Sequence, residues 1–188
     1  MNIIKSIVLI SMIMLIVSST YCATDSDAEA LAKEYFELDY NGARAIVGDL
    51  EAIGKLEDRG QQASWCSGSY CDPIFVIGKY EYLGLKRYGE NLCADVDFYL
   101  VGYIGGRIFG GYLSKEDPKI VRKTRECLPI IKVGNELKVE SMTVYPPHIS
   151  FEAAEKFIKV IYADEVKKFR NEVEKYRKKV GGNKNENN

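Results

Sequence analysis

The chain lacks a hydrophobic run long enough to stay in a membrane: its longest, Ile7 to Val17, is apolar except for Ser11. At a helical rise of 1.5 Å such a run covers about half of a ~30 Å hydrocarbon core. Charge of one sign is also missing. Lys and Arg number 26 against 27 Asp and Glu, a net charge of -1, which excludes the cationic excess that a nucleic-acid binder uses to displace counterions from phosphate. Histidine and tryptophan occur once each, at His148 and Trp65. As a general base His148 would need a neighbouring acid or nucleophile, and none stands near it in sequence; following two prolines, it reads as a loop residue. The glycine pairs Gly105-Gly106 and Gly110-Gly111 lack the spaced triplet of a dinucleotide-binding loop, and read as turns or bulges in a sheet. Cys66 and Cys71 are separated by four residues rather than two, which removes the usual zinc and thioredoxin-like redox spacings. No catalytic or metal motif emerges, and no cofactor is expected.

What is present begins with Lys5, the apolar run, and then Ser18, Ser19 and Thr20 at once. This is the pattern of a secretory signal peptide over residues 1–22, with cleavage between 19 and 23, so a secreted or periplasmic chain is expected. If Cys22 leaves with the signal, four cysteines remain, and an oxidising compartment favours bridges. Retention of Cys22 would leave a spare thiol or a lipid attachment point, but the bulky Tyr21 stands where a lipoprotein needs a small residue. Four cysteines allow three pairings. The short glycine-bearing loop between Cys66 and Cys71 favours pairing them, which leaves Cys93 with Cys127.

The residues that follow, 25–180, suit one α+β domain, with a disordered polar tail at 181–188. Ser26 and Glu29 stand in capping-box spacing, and Ala28, Leu31, Ala32, Tyr35 and Leu38 share a face, predicting a helix from Asp25 to Leu38. A second helix is expected through Ala43, Ile46, Val47, Leu50 and Ile53, ending at Arg59-Gly60. Strands are expected over Ile74 to Tyr88 (one strand or a hairpin about Gly78), Leu92 to Ile104, Arg107 to Leu113, Leu128 to Val133 and Leu137 to Tyr145. Asp117-Pro118 is read as opening a helical turn through Arg125. Ser150 is placed to cap a long C-terminal helix. Within that helix Tyr162, Val166, Phe169, Val173, Tyr176 and Val180 alternate steps of four and three, a heptad seam that suits packing on its own domain or an intermolecular contact that would make an oligomer. The expected architecture is N-terminal helices on a curved antiparallel sheet, with this helix appended.

Two strand aspartates, Asp95 and Asp97, alternate with Ala94, Val96 and Phe98 and lie roughly 7 Å apart on one face. That spacing is compatible with paired-carboxylate chemistry, although alternation alone produces it on any solvent-facing side of a sheet. An isomerase or dehydratase would use one of them as base, with Tyr99 or Tyr103 as donor.

The order of elements carries one resemblance. A helix ending in Leu38-Asp39-Tyr40-Asn41-Gly42-Ala43, a second helix, and strands closing with Gly134-Asn135-Glu136-Leu137-Lys138-Val139-Glu140-Ser141 resemble the NTF2-like (cone-shaped α+β) superfamily over about Ser26 to Tyr145. The resemblance implies a curved sheet and helices around a cone-like pocket, used for acid/base chemistry in some members and for binding or assembly in others. No catalytic residue carries over. The function expected is therefore an exported, non-enzymatic binding module for a small molecule or a protein; the acid/base enzyme and an interaction protein acting through the C-terminal helix are the alternatives.

Overall fold

The computed structural model describes residues 24–45, 47–59, 66–67, 70–71, 73–89, 91–104, 122–141 and 146–182. The signal peptide with Cys22, the expected strand Arg107 to Leu113, the glycine pairs, the end of the strand expected to reach Tyr145, and residues 183–188 of the tail lie outside them.

Helix α1 spans Asp25–Tyr40 and is capped by Thr24, not Ser26. The Thr24 side chain accepts from the Asp27 N–H, and the Asp27 carboxylate accepts from the Thr24 N–H at 2.8 Å, so the capping box lies two residues upstream of the expected one. Asn41 ends the helix, donating back to Asp39 and Glu37 carbonyls. Helix α2 is shorter than the periodicity suggested, Leu50–Leu56, because Asp49 caps it through the Ala52 N–H and residues 41–45 form turns. Those turns depend on Gly42, whose carbonyl accepts from Ala45, Val47 and Gly48. At φ 88°, a Cβ on Gly42 would lie 2.7 Å from a Val47 methyl and 3.0 Å from the Ala153 Cβ. Gly42→Ala is therefore expected to cost about 2 kcal/mol, from left-handed strain and overpacking, read as a lower urea midpoint.

Among the described residues seven strands follow: β1 (Cys66–Ser67), β2 (Tyr70–Cys71), β3 (Ile74–Tyr88), β4 (Asn91–Ile104), β5 (Arg122–Val133), β6 (Glu136–Val139) and β7 (His148–Ile149). β1 and β2 pair with each other; the rest form one sheet in the order β6-β5-β4-β3-β7. The long pairs are antiparallel, whereas β7 joins the edge parallel to β3, so the sheet is mixed and the chain re-enters it after Pro146-Pro147. β3 is one continuous strand through Gly78. Register shifts at Val76/Ile77, Ile77/Lys79 and Tyr82/Gly84 interrupt its ladder with β4, and such bulges bend a strand and increase its twist. Residues 122–125 are strand, not the expected helical turn, because Lys123, Thr124 and Arg125 take register opposite Tyr99, Phe98 and Asp97.

The C-terminal helix is broken in two. Ser150 caps α3 (Phe151–Ile161) as expected, but a 3-10 turn at Ala163–Glu165 reverses the chain into α4 (Val166–Gly182). Ion pairs Arg170–Glu155 and Arg177–Glu152 hold the two antiparallel. Reversal lets Phe169 and Val173 join Ile74, Val76, Ile104, Phe157 and Ile158 in one apolar cluster. A second cluster lies between α1 and the sheet, around Tyr35, Phe36, Val96, Phe98 and Leu128.

Candidate functional site

Alternation divides β3, β4 and β5 between two faces of different chemistry. Facing α1, cross-strand pairing makes a row of Tyr82, Val96 and Glu126 and a row of Tyr80, Phe98 and Thr124. Phe36 of α1 stands over them, its ring 6.0 Å from Tyr80, 6.2 Å from Tyr82 and 6.3 Å from Phe98. The Tyr80 hydroxyl donates to Glu37 at 3.1 Å. Burial and this carboxylate push its pKa up to about 12. The Lys33 ammonium lies 5.2 Å from the centre of the Tyr82 ring. Against that aromatic wall the Tyr82 hydroxyl and Thr124 Oγ1 are buried with no hydrogen-bond partner. Glu126 shares their face, and burial raises its carboxyl above the usual carboxylate range.

Beside this wall lies a buried polar cluster. Tyr35 and Asp39 stand one turn apart on the inner face of α1, and the turn after the helix brings back Arg44. Its guanidinium grips the Asp39 carboxylate with two hydrogen bonds, 2.9 and 2.7 Å, both side chains being almost fully enclosed. The same carboxylate accepts the backbone N–H of His148 at 3.2 Å, tying α1 to β7. Tyr35 donates to Glu57 Oε1 at 3.0 Å, while Glu57 Oε2 is buried without a partner. Burial raises the Glu57 carboxyl, opposed by that hydrogen bond, and raises the Tyr35 hydroxyl well above its ordinary range. The His148 ring stacks on Phe98 at 3.9 Å. Burial drives its pKa down to about 4. His148 is thus a buried residue of a sheet edge rather than a loop histidine, and it stands beside an acid, Asp39, that sequence proximity did not reveal.

Asp95, Asp97 and Tyr99 fall on the opposite face, away from α1. Asp97 accepts from Arg125 Nε at 2.8 Å and Nη2 at 3.1 Å and pairs with Lys123 at 2.5 Å. The Arg125 hydrogen bonds, above all, bring its pKa down to about 2, so it is held as an ion-paired carboxylate with little basicity. Asp95 pairs with Lys86. Tyr99 donates to Glu81 at 2.6 Å, and Tyr103 is half exposed near the end of β4. The structure therefore brings Asp95, Asp97 and Tyr99 together on the face away from α1, with both carboxylates buried (5% and 1% exposed) beneath half-exposed Lys86, Lys123 and Arg125, and leaves Tyr103 and His148 elsewhere.

Cys93 and Cys127 form a disulfide between β4 and β5, with Cα atoms 5.5 Å apart. This is the expected pairing; Cys93 lies near the start of β4, whereas Cys127 lies mid-strand in β5 because that strand begins at Arg122. Donor atoms of Cys93, Asp95 and Cys127 lie within 4.8 Å of one another, the one grouping of metal-ligand type among the described residues, and the disulfide uses two of its three donors. β1 pairs Cys66 directly with Cys71, and opposed antiparallel residues lie about 4.5–5.5 Å apart, within disulfide reach; their side chains lie outside the described residues. Comparison of the chain with protein-family models, curated proteins and solved structures finds no match.

The heptad seam turns inward. Phe169 and Val173 are buried, and Tyr162 and Val166 pack partly buried on the same cluster. Tyr176 meets Phe151 at 5.8 Å between ring centres. A cleft of about 240 Å³ between α3 and α4 has Phe151, Phe169 and Val173 on its apolar side, and the two helix-joining ion pairs border it. Among the described residues no helix is long and apolar enough to cross a membrane.

Proposed function

We propose that the chain is an exported binding domain that takes a small molecule against the inner face of the sheet beside α1, at the margin of the apolar cluster where Tyr82, Thr124 and Glu126 stand. One observation carries this reading: two buried hydroxyls without partners, Tyr82 and Thr124, on the face that also bears Glu126 and a wall of aromatic rings. Leaving a buried hydroxyl unsatisfied costs about 1–3 kcal/mol, and such groups in native proteins call for an explanation. A ligand with a planar apolar body, an acceptor for the hydroxyls and a group that meets the Glu126 carboxyl would supply one. The apolar run Ile7 to Val17 and the Cys93–Cys127 disulfide support export, and the helix-first order with α1 against the sheet supports the NTF2-like reading.

Ligand-observed NMR of the mature protein against a library of small heterocyclic amides and acids tests the proposal. Hits are expected that lose binding in Tyr82→Phe and Glu126→Gln; hits indifferent to both substitutions would overturn it. Thr124→Val should affect stability in the opposite direction from binding. Replacing the orphaned hydroxyl by a methyl is expected to stabilise the free protein by about 1 kcal/mol, seen as a higher urea midpoint, while weakening the same hits.

A further inference from the structure

We propose that the Cys93–Cys127 disulfide is an exchangeable redox site that accepts two electrons from a dithiol, with Asp95 stabilising its reduced form. Three features on the outer face lead there. The two sulfurs are unequal in access: Cys93 is 2% exposed, whereas Cys127 is exposed on β5. Exchange requires an incoming thiolate to reach one sulfur, and access therefore directs attack to Cys127. Second, Asp95 Oδ1 lies 3.3 Å from Cys93 Sγ, a separation at which a thiol donates a hydrogen bond and a disulfide sulfur, with no hydrogen, does not. The carboxylate thus meets a partner in the reduced state that the oxidised state does not offer. Its other oxygen is engaged by Lys86, which fixes its position. Third, the bridge joins strands already paired from Leu92 to Leu100, so opening it leaves that ladder in place.

The chemistry balances as ordinary thiol–disulfide exchange. A thiolate of the dithiol attacks Cys127 Sγ, forming a mixed disulfide; the Cys93–Cys127 bond breaks, and Cys93 Sγ leaves with the electron pair. It takes a proton and donates it in a hydrogen bond to Asp95 Oδ1. The second thiol of the dithiol, deprotonated, attacks its own sulfur in the mixed disulfide and expels Cys127 as a thiolate. The dithiol ends as a cyclic disulfide, oxidised by two electrons, and the protein as two reduced cysteines.

The test is a redox titration of the folded mature protein in ratios of reduced to oxidised dithiothreitol, quenched by alkylation and mapped by peptide mass spectrometry. Cys93 and Cys127 are expected to become alkylated together while the far-ultraviolet circular dichroism is unchanged. Alkylation of this pair only after the protein is unfolded would overturn the proposal. Asp95→Asn and Asp95→Ala are expected to shift the equilibrium about tenfold toward the disulfide, a potential lower by about 30 mV. An unchanged equilibrium in both folded variants would overturn the role of Asp95, since a merely structural carboxylate would not move a potential.

Discussion

Replacing Arg44 by Met is expected to lower the stability of the fold by about 3–5 kcal/mol, the usual cost of breaking a buried ion pair by removing one member. Arg44 is 3% exposed and its partner Asp39 1%, so bulk water does not solvate the carboxylate that the guanidinium now satisfies. Without it Asp39 keeps one contact from the cluster, the His148 N–H, for a charge that had accepted two further hydrogen bonds. Met keeps the apolar stem but gives up the guanidinium that sits over the Tyr35 ring at 5.7 Å, so part of the loss is this ring contact and the larger part the stranded charge. Equilibrium urea unfolding measures it as a lower midpoint with an unchanged slope. Adding Asp39→Asn to Arg44→Met removes the stranded charge and should recover part of the loss. A single-variant cost under about 1 kcal/mol would place the pair among solvated surface ion pairs, contrary to its enclosure.

Much of the α+β architecture was legible because periodicity and turn residues act locally. The helix from Asp25, the long strand from Ile74, the strand ending at Ile104, the Gly134-Asn135 hairpin and the Ser150 cap all follow from spacing along the chain. The misreadings came where a distant partner decided. Residues 122–125 extend because Arg125 and Lys123 reach Asp97 across the ladder, a contact no local rule contains. The C-terminal helix breaks at Tyr162 because its apolar seam finds its cover on α3 and the sheet, and only a reversal brings Phe169 there. The candidate site was largely illegible. Spacing singles out Asp95 and Asp97, but spacing does not say whether cations occupy them. Asp39 did carry a signal: an aspartate four residues after Tyr35, on the stripe of a helix that also holds Ala28 and Ala32, is out of place unless a cation meets it there. Arg44 lies five residues on, beyond a glycine turn whose geometry the sequence marks only as a break.

The second large effect is an acid limb in stability that belongs to His148. Its folded pKa, about 4, lies below the ordinary 6.5, first because burial penalises the imidazolium and despite the nearby Asp39 carboxylate. Between those values the unfolded chain binds a proton that the folded chain refuses. Stability from this group is therefore fully present above pH 6.5 and is lost as pH falls toward 4, at about 1.4 kcal/mol per unit, or about 3 kcal/mol in all. Glu57 works in the opposite sense: its folded pKa is raised, so its contribution is present below the ordinary 4.5 and is lost as pH rises through the raised value. Asp97, brought down to about 2, adds a further loss only at lower pH, and one muted by water around its half-exposed partners. Urea midpoints from pH 7 to 4 should fall steeply in the native protein and much less in His148→Phe, which keeps an aromatic ring against Phe98 without a titrating nitrogen. A direct reading needs no variant. With one histidine in the chain, a single imidazole Cε1 proton signal reports its titration. That signal should hold its neutral position down to about pH 5 and begin to move only as the pH approaches 4, whereas a midpoint near 6.5 in the folded protein would place His148 in water and remove the acid limb with it.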